Sequence, residues 1–173
     1  MRVDINFGKG RYPVELSDDW QVTIIRKPPM PIEADEAFAV ARALESPVNC
    51  APLRELANGR SKVCILICDI TRPVPNGVIL PVLIKKLISA GVEAKEITVM
   101  VATGLHRPNE GPELAELVGD SWVLENVNVV NHFATRDEDH VYVGTTKSGT
   151  IVRLDRRFIN ADLRIVTGLV EPH

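Results

Sequence analysis

Apolar positions along this chain fall into two patterns, and the two patterns alternate. Val63–Cys68 (VCILIC) and residues 97–101 (ITVMV) are unbroken apolar runs, the mark of strands covered on both faces. Residues 127–130 and 163–167 are shorter runs of the same kind. Between the first two runs, Ile79, Val82, Leu83, Lys86 and Leu87 fall at helical spacing over residues 77–90, and Gly91 follows where a helix-ending glycine belongs. Ala37, Phe38, Ala41 and Leu44 set out an earlier helix over residues 34–44, ended by Pro47. Pro52 opens a second short helix closed by Gly59, and another over residues 113–118 stops at Gly119. VYVG at 141–144 and TIVRL at 150–154 flank a Lys147-Ser148-Gly149 turn and predict a hairpin. The first 27 residues read as short strands, with a turn at Gly8-Lys9-Gly10 and a β-rich run, VTIIR, at 22–26. Pro28, Pro29 and Pro31 then interrupt the chain.

Strands alternating with helices of this length predict βαβ units. The expected fold class is α/β: a Rossmann-like layered fold whose mainly parallel sheet is flanked by helices. No G-x-G-x-x-G follows the first buried strand, so the usual dinucleotide fingerprint is missing. Neither G-x-S-x-G nor a P-loop sequence is present, which argues against a hydrolase elbow and a nucleotide-triphosphate loop.

Composition changes this picture little. The 173 residues are 45% hydrophobic and 25% charged, enough for one ordinary core. A net charge of −3 gives no electrostatic reason to expect nucleic acid or an anionic membrane as partner. The polar start and the lack of a long apolar run predict a cytoplasmic protein without a membrane span. Cys64 and Cys68 lie on one face of a strand but roughly 13 Å apart at 3.3 Å per residue, so they share neither a bridge nor a metal. With Cys50 they read as reduced small hydrophobes.

The candidate chemistry sits where the strands end. Ligands of open parallel sheets bind outside the carboxyl ends of the strands. Asp69-Ile70-Thr71-Arg72-Pro73 follows the first buried strand, Ala102-Thr103-Gly104-Leu105-His106-Arg107 the second, Asn131-His132 the third, and Gly168 to His173 the last. Arginine suits a carboxylate, because its planar fork donates two parallel hydrogen bonds. Two histidines suit proton transfer in both directions, because imidazole titrates near neutral pH. Arg72, His106 and His173 in one cleft would serve both faces of a 2-hydroxy acid's central carbon. Taken singly, each residue also has a plainer reading. Arg72 fits a solvated turn, Asp69 a helix cap, His106 a loop histidine without a role, His132 a buried histidine bonded to backbone, and His140, among Asp137, Glu138 and Asp139, a solvated loop.

In combination, DITRPVP at 69–75, ATGLHRP at 102–108 and GLVEPH at 168–173 resemble the lactate racemase family in order and spacing, over residues 34–173. The resemblance implies an N-terminal α/β domain and a C-terminal domain with the active site between them. It implies a nickel-pincer nucleotide, tethered through a lysine, that accepts the substrate's α-hydrogen as hydride while a histidine takes the hydroxyl proton. Carried onto this chain, His106 and His173 are the paired acid/base residues, Arg72 anchors the substrate carboxylate, and Asp69 lies close to substrate or cofactor. The family's tethering lysine and nickel-ligating histidine follow the motif matched by GLVEPH. The expectation is therefore an N-terminal fragment of a 2-hydroxy-acid racemase or epimerase, with residues 1–173 as an incomplete N-terminal domain. Alone it is expected to be inactive, to carry no covalent cofactor and to supply no metal ligand. Its partners are a small 2-hydroxy acid and the missing C-terminal domain. A last strand left with an unpaired edge would let the fragment self-associate. The alternative is a carboxylate-binding or regulatory module of the same fold without the chemistry.

Overall fold

The computed structural model describes residues 1–8 and 10–170, and the chain divides into two compact units, Met1–Ile32 and Glu33–His173. In the first unit β1 (Arg2–Phe7) pairs antiparallel with β2 (Gly10–Glu15), from Arg2 opposite Glu15 to Phe7 opposite Gly10. Alternation places Val3, Ile5 and Phe7 on one side, across from Val14 and Tyr12, and the rings of Phe7 and Tyr12 lie 5.9 Å apart. The turn expected at 8–10 includes Lys9, which lies outside the described residues. The β-rich run at 22–26 is not a strand. Val22, Ile24 and Ile25 are exposed, because β-propensity makes a strand only where a neighbouring strand accepts the ladder.

The second unit is built on four strands, β3 (Val63–Cys68), β4 (Ile97–Ala102), β5 (Asn128–Asn131) and, last in the chain, β8 (Leu163–Val166). They are all parallel, in the order β5-β4-β3-β8, with Val63 level with both Ile97 and Leu163. The expected α/β layer is therefore present. The unbroken apolar runs are explained by two covered faces. Ile65, Ile67, Val99 and Val101 point into the main helical core, while Cys64, Leu66 and Met100 point the other way, towards Ala161 and Phe158.

The helical layer centres on α3 (Asn76–Ser89), which buries Leu80, Leu83, Ile84 and Leu87. Against it pack α1 (Glu36–Glu45), α2 (Leu53–Ala57), α4 (Gly111–Val118) and α5 (Ser121–Asn126). Asp35 caps α1 by accepting from Phe38 N–H. Its inner face is Val40, Ala41 and Leu44, while Phe38 points outward and is 62% exposed. Neither α5 nor α6 (Arg156–Ile159) was evident from spacing, being too short for a full apolar period. The expected hairpin forms as β6 (His140–Thr145) and β7 (Ile151–Asp155).

Two details fix the layers. A Cβ at Gly77 would stand 2.8 Å from the carbonyl oxygen of Gly119, so α3 meets the end of α4 backbone to backbone. Asp162 accepts from Ser61 N–H, Ser61 Oγ–H and Lys62 N–H at 2.9–3.0 Å, tying the start of β8 to the start of β3. Among the described residues no helix is long and apolar enough to cross a membrane.

Candidate active site

Because β3 and β4 are parallel and level, the residues after Cys68 and Ala102 emerge side by side at one edge of the sheet. Asp69 leaves β3 buried, at 5% exposure. One of its oxygens accepts Thr71 N–H at 3.1 Å and Thr71 Oγ–H at 2.6 Å, closing a tight turn. Its other oxygen faces His106 Nδ1 at 2.5 Å. Backbone bonds from Arg72 N–H to Asp69 and from Val74 N–H to Arg72 curl the following segment. Asp69 does not cap the next helix, whose first-turn cap position is Pro75. Arg72 is exposed, with a guanidinium nitrogen 3.4 Å from Thr71 Oγ1. A hydrogen-bonded path of Arg72, Thr71, Asp69 and His106 thus spans both loops.

The His106 loop turns sharply at Gly104, whose φ of 58° favours glycine. His106 N–H donates to Thr103 O, and the Thr103 hydroxyl donates to the carbonyl of His132 at the end of β5. An ionised carboxylate only accepts, so the hydrogen shared with Asp69 belongs to His106 Nδ1. In neutral imidazole that leaves the lone pair on Nε2, and the side chain is 60% exposed. Burial alone would raise the Asp69 carboxyl, but the hydrogen bonds from Thr71 and His106 outweigh it and hold Asp69 below its ordinary value. Asp69 therefore stays anionic and keeps His106 in one tautomer.

The neighbouring cation is committed elsewhere. Arg107 makes a two-pronged pair with Glu113 at 2.5 and 2.7 Å. That pair, with a further bond from Asn109, pushes the Glu113 carboxyl down to about 2. Cys64 is a packing residue, its thiol pushed up to about 11 by burial. Cys50 is exposed and Cys68 half-buried.

His132 and His140 are brought together apart from His106. Their Nε2 atoms lie 2.9 Å apart, and His140 Nδ1 is 2.7 Å from the carbonyl of Arg136. A carbonyl cannot donate, so His140 Nδ1 carries a hydrogen, and neutral His140 accepts from His132 Nε2–H. His132 thus bonds a ring rather than backbone, and His140 opens β6 rather than standing in a solvated loop. His132 also lines an apolar cavity of about 270 Å³ with Leu66, Met100, Ala102, Gly104 and Phe158. Buried Asp155 is held by Arg157 through bonds of 2.6–3.0 Å. His173 lies outside the described residues. Among those described, no group of three or more histidines, cysteines or acids gathers to hold a metal. The sequence marks Asn131 only as a strand-end residue and does not single out Asn109; an asparagine at the end of a strand or in the loop after one is the available signal.

Fold and loops together define a class: an α/β protein whose parallel sheet presents a carboxylate–histidine pair and an arginine at its carboxyl edge. Residues 7–173 match the family described as the lactate racemase N-terminal domain, and the chain belongs to that family. It is similar to the lactate racemase of Thermoanaerobacterium thermosaccharolyticum, at 31% identity over 99% of this chain and 40% of that protein. It is 36% identical to the lactate racemase of Lactiplantibacillus plantarum over 80% of this chain and 32% of that one. The structure of the lactate racemase apoprotein from T. thermosaccharolyticum aligns with 100% of this chain and 40% of its own, at a TM-score of 0.80 and 31% identity. A Thermotoga maritima protein shares the fold, with a TM-score of 0.61 at 20% identity over 79% of this chain and 34% of its own. The chain spans at most 40% of the length of these relatives.

Proposed function

We propose that this chain is the N-terminal part of a racemase or epimerase of small 2-hydroxy acids. The observation that supports it best is the Asp69–His106 pair, 2.5 Å apart, with Arg72 on the adjoining turn. Arg72 grips the substrate carboxylate with its fork and sets the 2-hydroxyl near His106. His106 Nε2 takes the hydroxyl proton as the oxygen becomes a carbonyl and returns it when the carbon is reduced again. Asp69 stabilises the imidazolium formed in between and prevents the ring from turning. His173 would act in the same way from the other face of the substrate. The nickel-pincer nucleotide expected in the full-length protein supplies hydride chemistry when bound. Among the described residues no group of three or more histidines, cysteines or acids gathers to hold a metal, and the tethering lysine that the family resemblance implies would follow the motif at 168–173.

The test is racemisation of lactate and related 2-hydroxy acids by the full-length protein, made in cells that synthesise the nucleotide. His106→Ala is expected to lower turnover by about 10² to 10⁴. Arg72→Lys should raise KM, since a point charge cannot reproduce a two-pronged grip. Turnover of His106→Ala within a few-fold of the parent rules out the role given to His106. Binding of 2-hydroxy acids without any racemisation would instead favour a carboxylate-binding module.

A further inference from the structure

The ring of His106 is largely in solvent, so its position rests on the bond to Asp69 and on the backbone of its loop rather than on packing. One side chain links that loop to the turn that carries Asp69. Asn109 is 1% exposed, and all four of its polar atoms are partnered. Its side-chain oxygen accepts Ile70 N–H at 3.3 Å, one residue from Asp69. Its side-chain nitrogen donates to Glu113 at 2.8 Å. Its backbone N–H donates to Asn131 Oδ1 at 3.0 Å, and its carbonyl accepts from Asn131 Nδ2 at 2.8 Å. Three segments therefore meet on one residue: the Asp69 turn, the start of α4 and the end of β5.

We infer that Asn109 is the positioning residue that holds His106 against Asp69, and that Asn131 keeps Asn109 in place. The Asp69–His106 contact joins two loops that leave the paired ends of β3 and β4 at Cys68 and Ala102. Beyond those strand ends Asn109 braces the same two loops through Ile70 N–H, one residue from Asp69. An amide suits the position because it must accept from a main-chain N–H on one side and donate to an anionic carboxylate on the other. An amide carries its acceptor and its donors on separate atoms, so Oδ1 and Nδ2 reach the two partners at once, whereas a hydroxyl would have to serve both from one oxygen. Loss of the brace leaves Ile70 N–H without its acceptor and lets the loops separate. His106 then exchanges between tautomers, as a free imidazole does. The inference rests on the proposed function only for its catalytic consequence, because tautomer state is measured without turnover.

Two-bond ¹H–¹⁵N spectra of the 173-residue chain at alkaline pH provide the test. In the parent, His106 is expected in the Nδ1–H form. Asn109→Ala should move its two ring-nitrogen signals towards the averaged positions of a mobile imidazole. Glu113→Gln removes the ion pair with Arg107 in the same loop but leaves a carbonyl for Asn109, and should keep the parent pattern. If Asn109→Ala does not fold, Asn131→Ala, which removes the two bonds to the Asn109 backbone, is expected to give the same shift. A folded Asn109→Ala or Asn131→Ala chain that keeps the parent His106 pattern overturns the inference. So does a Glu113→Gln chain that loses it. Loss of racemisation on His106→Ala is a separate result, and neither outcome decides the other.

Discussion

At the scale of single residues, protonation is governed by which partner accepts. Asp69 and His132 show opposite uses of burial. Asp69 is buried but receives three hydrogen bonds, and it stays charged. His132 is partly buried against apolar side chains, and desolvation lowers it below 6.5. The nearby charges on Asp155 and Asp139 push it upward, while His140 and Arg157 push it down. The sign of the stability effect follows. As pH falls below 6.5, the unfolded chain binds its proton before the folded one does, so stability declines through that window. Full protonation of both rings would also set two N–H groups against each other across 2.9 Å. Thermal melts from pH 8 to 5 should therefore show a steeper loss of Tm for the parent than for His132→Gln. Parallel Tm curves would contradict the neutral-state preference of His132.

At the scale of elements, the closest constraint is the crossing of α3 with the end of α4. The sequence shows two glycines, Gly77 opening one helix and Gly119 ending another, but nothing in the linear pattern says that they touch. A Cβ on Gly77 would meet the Gly119 backbone at 2.8 Å, and a main-chain carbonyl cannot swing aside like a side chain. Gly77→Ala is expected to cost about 1–3 kcal/mol, as overpacking does. Chemical denaturation should show a lower midpoint with an unchanged slope. An unchanged midpoint would mean that the two helices separate freely. Gly119 carries a second demand, since its φ of 70° suits a left-handed helix cap.

At the scale of the whole molecule, β8 is the outer strand on one side of the sheet among the described residues, and the chain spans 40% of a relative's length. Among the described residues β8 pairs only with β3, which leaves its other main-chain side as an edge, and Val166 on it is 68% exposed. We expect the isolated chain to self-associate with concentration in analytical ultracentrifugation. Made in nucleotide-synthesising cells, it should also show neither racemisation nor an adduct of nucleotide mass with bound nickel. A strictly monomeric chain would argue against an open edge, and an adduct would place the cofactor's attachment within these residues.

Sequence alone determined much of this protein. Two fully apolar runs meant strands buried on both faces, because side chains alternate sides at every residue and both sides must then be apolar. The helical spacing over 77–90 meant a helix, and the polar segments after each strand were expected to gather at one edge of the sheet, because parallel strands end together. Where a short element lacked a full apolar period, as in α5 and α6, the pattern was silent. Where a β-rich run lacked a partner, as at 22–26, the pattern misled. Only the tertiary structure decided that Asp69 holds His106, that His132 bonds His140, and that Asn109 spans two loops. Those contacts join residues 37, 8 and 39 positions apart. Periodicity reports which side of an element faces the core, but a hydrogen bond between loops depends on where the folded backbone brings two atoms within about 3 Å.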